Sequence, residues 1–435
     1  MRSKTKYTIS YSCVQASFWM SLCVFSGFAA VYLQSLGYTN AKLGIILACG
    51  TLLGSLLGPE LSSAIDRSAE DRITASTLMP KVIAAEAAAT IVMLLFPVKG
   101  LVTSVSFVAF IALATTINSL VLKLYTDAIY CGMDIDYGIS RSMGSLGYVL
   151  TSFAVGSLCE AISPRAVPAA GLAVCAFQLF SFLKFSGFLK RAQAGESASQ
   201  PEDMSAGQAS VEESAEACIP ESEQLNRNSS KSTTPAAGAE VHSTSTTIAA
   251  FLIRNKAFCL ILAGSALIFF SHNTLCNFFI NVVKNVGGST SDMGFLNGLM
   301  ALIEIPVIFF YSKLTRNFRT SAVLRTGLIF FTAKAAAIAL AGSVAGIAGA
   351  LLLQAPSFGL YTGAIVPYVD EVISHEDSAK AQSLAFSVTM LGSVFASTVS
   401  GHLFDVMSVS SVMWISCAVC AVGSVLAVLG VRRTQ

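Results

Sequence analysis

Residues 101–126 read LVTSVSFVAFIALATTINSLVLKLYT, and this run decides the fold: Lys123 is its one charged residue. An α-helix rises ~1.5 Å per residue, so ~20 residues cross the ~30 Å hydrocarbon core of a bilayer. In hydrocarbon every backbone N–H and C=O must pair internally, and an unbroken apolar run of this length does so as a helix. Eleven further stretches have the same character: 9–33, 40–64, 74–96, 140–162, 166–188, 256–283, 291–312, 321–341, 344–368, 381–404 and 409–431. Charged residues make up 12% of the 435, and the mean hydropathy is +0.68, far from the profile of a soluble domain. The expected fold class is an all-α integral membrane protein with twelve transmembrane helices.

The twelve spans divide six and six around a polar stretch, 192–247, rich in Ser, Thr, Ala, Glu and Gly and nearly free of aromatics. Such composition buries too little apolar surface to order itself. The expected organisation is an N-terminal six-helix bundle over 1–190, a disordered cytoplasmic linker over 191–250, and a C-terminal six-helix bundle over 251–435. A plain tether is the favoured reading of the linker over a regulatory one. With a cytoplasmic N-terminus, nineteen Lys and Arg fall in the inner loops and termini and four (Lys42, Lys99, Arg165, Lys284) in the outer ones. The positive-inside rule then puts both termini in the cytoplasm. Orientation explains the positive charge, so the net +2 carries no message about nucleic acid. The first apolar run is too long for a cleavable signal peptide and leads straight into a second span. The expected location is the plasma membrane (the cell inner membrane), multi-pass. Eleven cysteines lie nearly all inside the spans; Cys417 and Cys420 form a CxxC among Ala and Val, read as small apolar residues and not as a metal or redox pair.

The halves repeat each other in parallel. Leu43-Gly44 opens the second span and leads to Asp66-Arg67; Met293-Gly294 opens the eighth and leads to Arg316-Asn317. The fifth span ends in Gly156-Ser157-Leu158-Cys159-Glu160, the eleventh in Gly401-His402-Leu403-Phe404-Asp405. Six-helix units related along the membrane normal are a repeat plan of secondary transporters. Three motifs make the resemblance specific. The loop Asp66-Arg67-Ser68-Ala69-Glu70-Asp71-Arg72 is similar to the Asp-Arg…Arg signature of the major facilitator superfamily, without its two usual glycines. Tyr137-Gly138-Ile139-Ser140-Arg141-Ser142-Met143-Gly144-Ser145 resembles the start of the fifth helix in the superfamily's proton-coupled sugar and nucleoside symporters, the MFS_1-like branch. Gly287-Gly288-Ser289…Gly294…Glu304-Ile305-Pro306 looks like a third motif of that branch. The resemblance covers the chain outside the central loop and implies the major facilitator fold and inward transport of a small polar solute driven by protons. It also implies that Arg141, by motif, handles substrate together with an acidic residue of the fourth helix, for which Asp127 falls close. A gating salt bridge between Asp127 and Arg141 is the competing reading. Asp66, Arg67 and Arg72 are the expected gating residues, with Glu60 as a contact between halves near the cytoplasmic gate.

A charge near the bilayer centre costs at least ~2.5–3.5 kcal/mol on insertion scales, so each one needs a reason. Glu304 and Lys334 lie at mid-depth of the eighth and ninth spans and are expected to form a charge pair lining the cavity. A carboxyl in a low-dielectric site is suited to take and release a proton, which makes Glu304 the expected proton carrier. Lys334 would favour its ionised form and contact substrate oxygens; a purely structural pair is the bland alternative. Glu86, in the third span, reads as structural. In the seventh span Ser271, His272, Asn273, Asn277 and Asn281 form a polar face, the asparagines recurring every four residues. They are expected to serve a hydroxylated solute, with interhelical hydrogen bonding as the alternative. His272 is a second candidate proton site. Gln15, Trp19, Gln354 and Tyr361 fall at comparable depth, and an aromatic platform with amide groups suits a sugar or nucleoside. Pro306, Pro356 and Pro367 permit bends.

No G-x-x-x-x-G-K-[ST], HExxH or His/Cys/carboxylate cluster occurs, so neither an enzyme nor a cofactor or metal is expected. The leading expectation is proton-coupled uptake of a sugar, oligosaccharide or nucleoside by a monomeric protein. Proton-driven export of an apolar or cationic compound and transport of an organic acid compete with it. A non-transporting sensor is disfavoured, since the central loop is no folded output domain.

Overall fold

The structure is a computed structural model that describes residues 2–67, 74–197, 247–311, 313 and 316–432. Among the described residues twelve long helical segments follow one another. α1 is Arg2–Leu22, prolonged by a π turn, Cys23–Gly27, and, past a bend at Phe28, by Ala29–Ser35. Next come α2 (Asn40–Arg67), α3 (Ala75–Leu95), α4 (Leu101–Tyr130), α5 (Tyr137–Ala161) and α6 (Val167–Ser197). In the second half α7 is Lys256–Asn277 with Phe279–Asn285 beyond a break at Phe278, and α8 is Thr290–Phe309. α9 is Thr320–Leu340. α10 joins Val344–Leu351 to Leu360–Val372 through a π turn at Ala355–Gly359. α11 joins His375–Phe395 to Gly401–Val406 through another π turn, and α12 is Val409–Gly430. Among the described residues ten helices are long and apolar enough to cross a membrane, or eleven with the bent α1 counted as one span; α8, with 20 residues, runs in series between α7 and α9.

Helix starts follow local chemistry. Thr74 and Ser289 close capping boxes at α3 and α8, and the Asp136 carboxylate accepts from Ile139 N at α5. Gly37 (φ 86°) and Gly287 (φ 79°) turn the chain between α1 and α2 and between α7 and α8, a left-handed conformation glycine adopts without strain. Pro356 removes an amide donor and sits in the π turn of α10. Helices run past the apolar spans because backbone pairing continues where hydrophobicity stops. α6 therefore extends through Ser197, and a short helix, Ile248–Arg254, begins in the last three residues of the stretch expected as linker; residues 198–246 of that stretch lie outside the described residues. Leu56, Leu95, Phe180, Ile329 and Leu429 face outward at 55–71% exposure, a lipid-facing belt.

One apolar cluster spans both halves at the end remote from the termini, uniting Phe28, Tyr32 and Leu43 with Phe278, Met293 and Phe404. Nearer the termini each half has its own core: Tyr11, Phe18, Leu124 and Phe185 in one, Phe258, Phe269, Leu328 and Tyr368 in the other. The remote end, called distal below, is also where the backbones cross. A Cβ on Gly44 would lie 1.9 Å from Ser397 O, and one on Gly294 would lie 2.6 Å from Ser152 O and 2.8 Å from Gly156 Cα. Ser152 Oγ donates to Gly294 O (2.7 Å), and Gln34 Nε2 donates to Asn281 Oδ1 (2.7 Å).

Candidate solute and proton site

At mid-depth, four helices of the second half contribute one polar side chain each to a continuous row. Glu304 lies fourteen residues into α8, about 21 Å from its distal end at ~1.5 Å per residue. Its Oε1 accepts from Gln354 Nε2 of α10 (2.6 Å). Gln354 Oε1 accepts from Lys334 Nζ of α9 (2.7 Å), which also donates to His272 Nδ1 of α7 (3.1 Å). The expected Glu304–Lys334 pair is therefore bridged by the Gln354 amide, which satisfies a carboxylate on one side and an ammonium on the other. With Nδ1 accepting, the imidazole carries its proton on Nε2. Lys334 and Gln354 are 2% and 1% exposed, while Glu304 is half-buried. Phe331 lies beneath Lys334 Nζ at 4.9 Å, and Phe269, Phe331 and Phe358 surround the His272 ring. These rings exclude water from the covered end of the row and strengthen its polar contacts.

From the first half, the Arg141 guanidinium lies 4.1 Å from the centre of the Trp19 ring, and its Nη1 donates to Ser145 Oγ (3.2 Å). Gly144 makes this possible: a Cβ there would stand 2.5 Å from Trp19 Cδ1. Arg141 is near enough to Glu304 for the two charges to interact electrostatically across the interface. Distal to them, Asn297 of α8 donates to the Tyr148 hydroxyl of α5 (3.0 Å). Arg141, Ser145, Tyr148 and Ser152 thus mark one face of α5, turned toward Gly294, Asn297 and Glu304 of α8.

Other expected site residues lie elsewhere. Asn273 donates to its own helix at Phe269 O (2.8 Å), and Asn277 to Ser397 Oγ of α11 (2.8 Å). Asn281 donates to Asn40 Oδ1 (3.0 Å). Two of the three asparagines therefore spend their donors on other helices. Gln15 is held by the Tyr11 hydroxyl (2.9 Å), itself bonded to Val121 O, within the first-half core. Tyr361, 3% exposed, donates to Ser265 Oγ (3.2 Å) and packs on Phe269 and Phe331, behind the row. Asp127 pairs with Lys123 one turn before it (3.9 Å). Glu60 is exposed and lies 4.0 Å from exposed Arg67 on the same helix. The Asp66 backbone falls in the last turn of α2, and Arg72 lies outside the described residues. Glu86, fully buried, accepts from Ser21 Oγ (2.6 Å) between α3 and α1. Sequence reasoning missed the Tyr148–Asn297 pair, although the polar face of α5 at intervals of three and four residues is its trace.

Polar and charged groups gathered at mid-depth between two repeated sets of membrane-crossing helices define a membrane transporter. The sequence pattern of the MFS_1 like family matches residues 8–415. The chain belongs to that family, and it is a multi-pass membrane protein and not an enzyme. A "Putative sugar efflux transporter" of Deinococcus radiodurans is 27% identical over 130 residues, 30% of this chain; the match spans only 33% of that relative's length. Among solved structures, the nucleoside transporter NupG superposes with a TM-score of 0.69 at 14% identity, covering 98% of both chains. A bacterial homologue of the human lysosomal transporter Spinster, inward-facing and unoccupied, superposes with a TM-score of 0.65 at 13% identity over 99% of this chain and 97% of that one. At these identities the likeness is one of fold.

Proposed function

We propose that this transporter works by alternating access and couples uptake of a small polar solute, a sugar, oligosaccharide or nucleoside, to protons. The observation that carries the proposal is the row Glu304–Gln354–Lys334–His272. Glu304 touches a neutral amide and not a cation, so it can gain and lose a proton while Lys334 keeps its own partners. Protonating Glu304 removes a charge from the interface with Arg141, which changes how the halves attract each other as they rock. Trp19 offers a ring face and Arg141, Glu304 and Asn297 offer hydrogen-bonding groups, a combination suited to hydroxyls and bases. The names of the sugar and nucleoside transporters above are in keeping with that class. With the termini taken as cytoplasmic, the packed distal end is the outer face and the conformation is closed to the outside. The reading includes a monomer in the plasma membrane, as the positive-inside count suggests.

Glu304→Gln tests it: proton-driven accumulation is expected to vanish while counterflow exchange of the same solute persists. Full accumulation by the variant removes Glu304 from the mechanism. Substrate class is read from pH change on adding sugars, nucleosides or organic acids to de-energised vesicles. Alkalinisation outside right-side-out vesicles with one class identifies both symport and solute. The efflux name of the Deinococcus relative favours a second reading, export, for which solute release from energised cells is the readout.

A further inference from the structure

Two carboxylates outside the mid-depth row join the halves at the distal end, one contributed by each half. Asp405, in the last turn of α11, accepts from the backbone N of Asn40 (2.9 Å) and its Nδ2 (3.0 Å) through Oδ1, and from Ala41 N (2.8 Å) through Oδ2. Glu160, at the end of α5, accepts from Thr290 N (3.0 Å) through Oε2. Asn40 and Thr290 are the first residues of α2 and α8. Their N–H groups are among those a helix leaves without an internal partner.

The arrangement is reciprocal. Glu160 stands four residues after Gly156 and Asp405 four after Gly401; Asn40 and Thr290 each stand four before Gly44 and Gly294. Each half therefore offers one carboxylate and one helix N-terminus, and each carboxylate meets the N-terminus of the other half. The glycines set the distance: a Cβ on Gly401 would lie 2.4 Å from Asn40 O, and one on Gly156 would lie 2.8 Å from Gly294 Cα. A carboxylate at a helix N-terminus gains both from charge-assisted hydrogen bonds and from the positive end of the helix dipole. Neither gain survives separation of the halves, because both partners sit on opposite sides of the moving interface.

We propose that Asp405 and Glu160 are paired latches that hold the transporter closed at its distal end, positioning residues that set the balance between its two conformations whichever solute it carries. Distance measurement between nitroxide labels tests this on the full chain in nanodiscs. Lys99→Cys and Lys284→Cys place the labels on exposed distal positions of opposite halves, with the exposed Cys49 and Cys218 of the polar stretch replaced by alanine. Asp405→Asn and Glu160→Gln keep shape and one acceptor oxygen but remove the charge, so they leave no hole. Each is expected to shift the closed-to-open ratio by roughly fivefold toward longer distances, and the double variant further. Asp405→Glu should restore most of the closed population. A double variant with wild-type distances, or one whose only change is a lower melting temperature, overturns the proposal.

Discussion

Gln354 sits in the interior with both ends of its amide engaged by charged groups. Gln354→Leu keeps the bulk and deletes both contacts, leaving an ammonium and a carboxylate short of a partner. Unmade hydrogen bonds to buried charges cost ~1.5–3 kcal/mol each, so the two together should lower the stability read from thermal unfolding in detergent by about 3–6 kcal/mol. A wild-type melting temperature would mean that Lys334 and Glu304 find other partners. Depth along each span was legible in the sequence: charge at mid-depth singled out Glu304 and Lys334, the polar face of the seventh span singled out His272, and depth alone singled out Gln354. Their order in the row was not, because it depends on how four helices are rotated about their axes. The asparagines of α7 illustrate the same limit: their period shows that they share a face, whereas what that face meets is decided by Ser397 and Asn40, far away in sequence.

At the scale of elements, hydropathy located the helices, since the bilayer demands apolar length wherever a chain crosses it. It located their ends less well, and it was silent on the breaks at Phe28 and Phe278 and on the π turns in α10 and α11. Hydropathy does not register the local causes of such breaks, of which Pro356 in the π turn of α10 is one. The glycine repeat was legible as a repeat; its physical use is the backbone crossing of α2 on α11 and of α8 on α5. Gly294→Ala places a methyl group 2.6 Å from Ser152 O, so the α5–α8 crossing must widen. Overpacking of this kind costs ~1–3 kcal/mol. Hydrogen–deuterium exchange should then run faster at the first-turn amides of α8 and at the turn preceding it, while the amides of α12 exchange as before. Unchanged exchange at α8 would show that the crossing has slack.

For the whole molecule, an all-helical protein crossing a membrane many times was readable from hydropathy alone, because repeated apolar spans leave few other arrangements. Which end is packed was not, since that is a property of the contacts between halves. The row of Glu304, Gln354 and Lys334 bears also on how the chain is made. Helices enter the membrane in order, and α9 arrives with a lysine that costs ~2.5–3.5 kcal/mol on insertion scales. The amide that accepts from that lysine belongs to α10, whereas His272 of α7 is already in place, so α9 has only one of its two hydrogen-bond partners until the next helix is synthesised. A nascent chain ending after α9 should be degraded quickly or leave α9 outside the bilayer, whereas one ending after α10 should hold α9 in place; glycosylation tags on the loops report which occurs. The same bridge at the centre of the finished transporter would thus act during biogenesis as a checkpoint, releasing the second half from quality control only when three of its helices have met.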